Sequence, residues 1–175
     1  HCREIGDINM NIYGVTGWKN SGKTTLVERL VQELVERGLR VSTLKHAHHS
    51  SDVDHKGRDS FRHRTAGAHE VLLATPARWA LMHELRGAEE PPLEELLAKF
   101  APVDLVLIEG YKSSYYPKIE AFRHEAGHEL MAPHNPTIRA VASDMAQLDT
   151  QVPLFDLNDI KGLANFILSD GTLDV

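Results

Sequence analysis

Cysteine is nearly absent from this chain: one residue, Cys2, stands among 175. A single thiol excludes an internal disulfide framework and any cysteine-based zinc cluster. Positive charge is not in excess either. Asp and Glu number 25 against 19 Lys and Arg, a formal net charge of −6, so the footprint of a nucleic-acid-binding protein is missing. Charges of both signs are interleaved, with no basic run and no acidic tail. No apolar run approaches the roughly 18 residues of a membrane span, and the opening residues show no secretory-signal pattern. Internal repeats and low-complexity segments are lacking too. These absences lead to the expectation of a cytoplasmic protein with neither nucleic-acid nor membrane partners. Residues 1–9 read as an addition or upstream remnant, because Met10 stands immediately before the first apolar stretch. Residues 10–175 are then expected to form a single domain, long enough for a real core.

What the chain does have is Gly17-Trp18-Lys19-Asn20-Ser21-Gly22-Lys23-Thr24, a match to G-x-x-x-x-G-K-[ST] at every fixed position. Ile12 to Thr16 precede it as a short buried-strand pattern. Leu26, Val27, Leu30, Val31, Leu34 and Val35 follow with helical periodicity. A strand, a glycine-containing loop and a helix in that order place backbone N–H groups at the positive end of a helix, which is an anion-binding nest. Lys23 is expected to reach the β- and γ-phosphates of a nucleotide, and the Thr24 hydroxyl to meet a magnesium ion.

The first helix should end near Gly38, and Val41–Lys45 reads as a second strand, so the chain opens with a βαβ unit. A histidine-rich loop follows, then a short helix from Ser60 toward Gly67. Residues 70–75 and 78–85 are β-prone runs joined at Pro76-Ala77, which predicts an antiparallel hairpin. Val71, Leu73, Trp79 and Leu81 give that hairpin apolar surface, for a subunit interface or for core packing. A helix should start near Leu93. Val103 to Ile108 is a near-continuous apolar run, the mark of a strand buried on both faces of a parallel sheet. Ile138–Ser143 and Val152 to Phe155 repeat the theme, ahead of Asp144 and Asp156, and Asn158 is the expected cap of the last helix. The fold class is α/β: a mostly parallel, doubly wound sheet of the P-loop NTPase type with an additional β-hairpin. Residues 110–136 give no clear pattern.

A magnesium nucleotide also needs carboxylates near the metal. Glu109 ends the buried strand, where such an acid belongs, and Gly110 beside it allows backbone to approach the terminal phosphate. Asp52, Asp54 and Asp59 follow the second strand, with Asp54 the first choice among them. His46, His48, His49, His55, His63 and His69 crowd one stretch. His46 and His48 are candidates for phosphate or substrate contacts, while the His-x-His-His spacing does not fit the common closed zinc sites.

Taken together, GWKNSGKTTL, LKHAHHSSDVDHKGRDSFRHRTAGA, RWALM, DLVLIEGYK and AVASD resemble the molybdopterin-guanine dinucleotide biosynthesis adapter family (MobB), from Met10 to about Leu168. A more distant likeness is to P-loop proteins such as dethiobiotin synthetase and the metallochaperone GTPases. The resemblance implies a GTP-binding, dimeric adapter with at most weak hydrolysis, assisting a separate nucleotidyltransferase. Molybdopterin is a further candidate ligand. Carried over by position, Gly17, Lys19, Asn20, Ser21, Gly22, Lys23, Thr24, Thr25, His46, His48 and Asp144 bind the nucleotide. Thr24, Asp54 and Glu109 form the Mg²⁺ side, and Lys23 with Glu109 stand at the reacting phosphate. Asp144 is where related GTPases read the base: a carboxylate accepts from both guanine N1–H and N2–H. The pattern departs from theirs in that Ala142 takes the place of a lysine. Two other readings are an ATP-dependent small-molecule kinase or ligase and a metal-delivery GTPase.

Overall fold

A computed structural model describes residues 10–47 and 53–171, so residues 1–9 and the expected ligands His48 and Asp52 lie outside the described residues. The chain forms two compact units, one built up to His46 and from Leu97 onward, the other from Ala47–Leu96.

The larger unit is a six-stranded sheet. Strands β1 (Asn11–Thr16), β2 (Val41–Lys45), β5 (Leu105–Glu109), β6 (Lys118–Phe122), β7 (Ile138–Ser143) and β8 (Leu154–Asp156) lie in the order β2-β5-β1-β6-β7-β8. Every pairing is parallel. From β1 the chain crosses to the edge strand β2, returns inward to β5 and then passes to β6, β7 and β8 on the other flank, so its direction changes at β1 and leaves a crevice at the carboxyl end of that strand. Helix α1 (Lys23–Glu36) turns Leu26, Val27, Leu30 and Leu34 inward, as its apolar spacing requires. They join Tyr13 and Val15 of β1, Leu105 and Leu107 of β5, Ile119 and Ala121 of β6, and Leu163 and Ile167 of α4 (Ile160–Asp170) in one core. Such a side chain contributes about 1.5–3 kcal/mol by leaving water. Asp159, not Asn158, caps α4, its carboxylate accepting from the Gly162 amide at 3.0 Å. The Asn158 side chain instead accepts from Arg29 at 2.9 Å.

Strand β6 occupies the segment that carries no clear sequence pattern, and it lies beside β1. All five of its residues are buried, Lys118 and Glu120 included. Chain on either side of the strand satisfies both charges. The Lys118 ammonium donates to the carbonyls of Ser114 (2.7 Å) and Tyr116 (2.8 Å) and to the Thr137 hydroxyl (2.7 Å). Glu120 accepts from the amides of Met131 (2.8 Å) and Ala132 (2.8 Å). Burial raises the Glu120 carboxyl above the ordinary range, and those two amides act against the rise.

The smaller unit holds α2 (Asp59–Thr65) and the antiparallel hairpin of β3 (Glu70–Ala74) and β4 (Trp79–His83), as expected. Arg64 ties it together, donating to Asp54 at 3.2 Å and to Glu84 at 2.8 Å. Helix α3 (Leu93–Leu97) follows. No helix among the described residues is long and apolar enough to cross a membrane.

Candidate functional site

Residues 17–22 lead from β1 into α1 at the crevice. Gly17 (φ 149°) and Gly22 (φ 88°) take conformations that side chains disfavour. A methyl group at Gly17 would also strike the Ala121 carbonyl and come within 2.5 Å of Ser21 Oγ. Gly22 starts α1 with no side-chain cap, and the first turn carries no acidic residue. The helix's own residues therefore supply no anion to its positive end. Ser21 Oγ, buried against Gly17, is the one buried side-chain polar atom without a hydrogen-bond partner among the described residues. Lys19, Asn20 and Thr25 stand exposed around this loop. Lys23 folds back to donate to the carbonyls of Gly17 (2.8 Å) and Trp18 (2.7 Å).

Glu109 meets the loop from β5. Its carboxylate accepts from the Thr24 hydroxyl at 2.7 Å and lies 3.4 Å from the Lys45 ammonium. Lys45 also donates to Thr24 Oγ1 at 3.4 Å. The parallel register explains the meeting, because Val15, Glu109 and Lys45 stand side by side at the ends of β1, β5 and β2. Lys45 is a site residue that motif reasoning missed; its place as the last residue of β2 was the available signal. Burial pushes the Lys23 ammonium below the ordinary lysine range; Glu109 opposes this, and the charges of Lys45 and Lys112 add to it. Lys112 stands over the Trp18 ring, 4.9 Å from its centre. Lys23 and Lys45 thus share the field of one carboxylate, and Lys112 adds a third like charge beside the loop. His46 donates its amide to the Glu109 carbonyl at 3.0 Å, and its ring lies 4.5 Å from that of Tyr111.

On the other side of β1, Asp144 is exposed just past β7 and accepts from the His124 amide at 3.2 Å. Lys23, Thr24 and Glu109 are brought together within the larger unit. Asp54 lies in the smaller one, where Ser60 donates to it at 2.9 Å and Arg64 pairs with it. Burial alone would raise the Asp54 carboxyl, but Ser60, the His55 amide and Arg64 prevail and hold it below the usual range. Of the histidines in the crowded stretch, His69 alone joins a converging donor group among the described residues. That group is His69, Glu70 and His83 on the exposed hairpin.

A glycine-hinged loop that opens a helix at the centre of a parallel sheet, with a lysine inside it and a hydroxyl-carboxylate pair beside it, defines a P-loop α/β protein. The family profile described as "Molybdopterin guanine dinucleotide synthesis protein B" (MobB) matches residues 12–144. The chain is 40% identical over 168 residues to the molybdopterin-guanine dinucleotide biosynthesis adapter protein of Escherichia coli (strain K12), covering 93% of this chain and 94% of that one. The adapter protein of Haemophilus influenzae is 40% identical over 158 residues, with 89% and 86% covered. The crystal structure of a MobB homologue from Bacillus stearothermophilus superposes with a TM-score of 0.70 at 29% identity, covering 94% of this chain and all of that one. This chain belongs to the MobB family.

Proposed function

We propose that the protein is a GTP-binding adapter for the formation of molybdopterin guanine dinucleotide, with slow intrinsic hydrolysis. One observation carries the reading: the loop holds Lys23 and an uncapped helix start, with the Thr24–Glu109 pair next to them. That arrangement suits a triphosphate and its metal. Thr24 and Glu109 offer the oxygen donors that magnesium takes. Asp54, held ionised by its partners within the smaller unit, remains an expectation of the sequence. Bound Mg²⁺ would supply charge neutralisation at the phosphates. Lys23 would exchange its two loop carbonyls for phosphate oxygens, and Asp144 would accept from guanine N1–H and N2–H. His46, whose amide donates to the Glu109 carbonyl, would supply a phosphate contact in this reading, and His48 belongs to the same expectation. Slow hydrolysis follows because Gly110 and Tyr111 come after Glu109, with no glutamine there to orient a water.

The adapter role rests on the likeness to proteins so named, and it supplies two partners: a nucleotidyltransferase enzyme and a second copy of this chain. Calorimetric titration with GTP, ATP and GDP, with and without magnesium, tests the reading. GTP should bind more tightly than ATP, and Lys23→Ala should lose that binding. Equal affinity for the two triphosphates would remove the guanine assignment; no heat with any of them would remove the nucleotide site.

A further inference from the structure

The residue after β6 has a role that the loop motif does not cover. Arg123 is exposed, yet its guanidinium is not free in space. A methyl group on Gly22 would lie 3.0 Å from Arg123 Nε, 3.2 Å from Nη2 and 3.4 Å from Cζ, so the guanidinium rests on the last loop glycine. β6 lies beside β1 in the parallel sheet and thus delivers Arg123 to the same edge as the loop. Among the described residues no carboxylate makes an ion pair or hydrogen bond with this guanidinium.

A fixed positive charge beside an uncapped helix start and near a loop lysine is electrostatically unfavourable without an anion. The burial of unpartnered Ser21 Oγ in the same loop is a second sign of a missing ligand. We propose that Arg123 is a phosphate-binding residue, closing over the α- and β-phosphates of the nucleotide; this rests on the nucleotide reading above. The side of the sheet decides which phosphates. Glu109 approaches from β5, on one flank of β1, and meets Thr24 of α1 there; in the nucleotide reading this pair marks the terminal-phosphate and metal end. Arg123 approaches from β6, on the other flank, in the direction of Asp144, to which the neighbouring His124 amide donates. A guanidinium there faces the part of the nucleotide that diphosphate and triphosphate share. Its planar fork can lie flat on a glycine and still present two N–H groups to phosphate oxygens.

The test is calorimetric titration of the wild-type protein, R123A and R123K with GDP and with GTP at fixed magnesium, alongside thermal unfolding without nucleotide. R123A should weaken both nucleotides alike, by about tenfold, with unfolding of the nucleotide-free protein unchanged. R123K should recover only part of the loss, since an ammonium has no fork. Wild-type affinity for both nucleotides in R123A would overturn the proposal and leave the nucleotide site standing. A loss confined to GTP would overturn it too, by moving the arginine to the terminal phosphate. A wild-type protein that binds neither nucleotide would overturn the nucleotide reading itself, and this inference with it.

Discussion

Lys23 is the residue on which the site turns, and its titration gives a signed expectation. Burial, reinforced by Lys45 and Lys112, holds its ammonium below the ordinary lysine range in the free protein. Phosphate oxygens in place of loop carbonyls would raise that value, so binding takes up a proton. Affinity should therefore fall as pH rises through the free-protein value, over a window that opens below the ordinary lysine pKa. Titrations carried upward in pH toward the ordinary lysine value should show the fall, and Lys23→Arg, whose charge persists, should flatten it. Glu109 supports a separate expectation. Glu109→Gln should leave binding without magnesium nearly intact while removing most of the gain that magnesium brings, about tenfold or more, in paired titrations. At this scale the loop residues were legible in the sequence because a rigid pattern links their spacing to backbone chemistry. Lys45 and Arg123 were not, since their positions depend on strand register and strand order, which no short motif encodes.

Among the elements, β6 shows what hydrophobic patterning cannot reveal. β5 was visible because Leu105 to Ile108 are apolar on both faces, as a doubly covered strand should be. β6 is equally buried, yet Lys118 and Glu120 break its pattern on one face, and their partners come from irregular segments flanking the strand. Lys118 is pushed down to about 8 by burial. Replacing it with methionine would take the ammonium donor from two carbonyls and the Thr137 hydroxyl, and Lys118→Met should cost about 2–3 kcal/mol in denaturant unfolding at neutral pH. The pH dependence has a definite sign. The folded value of about 8 lies below the unfolded 10.5, so within that window the unfolded chain binds more protons. Wild-type stability should gain with rising pH relative to Lys118→Met, across the same window. The loop that Glu120 pins also supplies Glu129, whose carbonyl accepts from the Trp18 indole at 2.9 Å, and His128, whose ring stacks on Trp18 at 4.6 Å. One buried carboxylate thus steadies the approach to the phosphate loop.

For the molecule as a whole, the hairpin bears on assembly. Leu72, Ala74, Trp79 and Leu81 share one face by their register, and Trp79 is 69% and Leu72 60% exposed. A two-stranded sheet is marginal alone, so such a face gains by meeting its copy. Sedimentation should give a dimer for the wild type and a monomer for the Leu72→Glu, Trp79→Ser variant, with nucleotide affinity retained. The lysines beside the phosphate loop have a consequence for traffic to the site. The chain carries a formal net charge of −6, yet Lys23, Lys45 and Lys112 act together as like charges at the loop, which should favour the approach of compact anions. Stopped-flow capture of a fluorescent guanine nucleotide should slow as sodium chloride is raised.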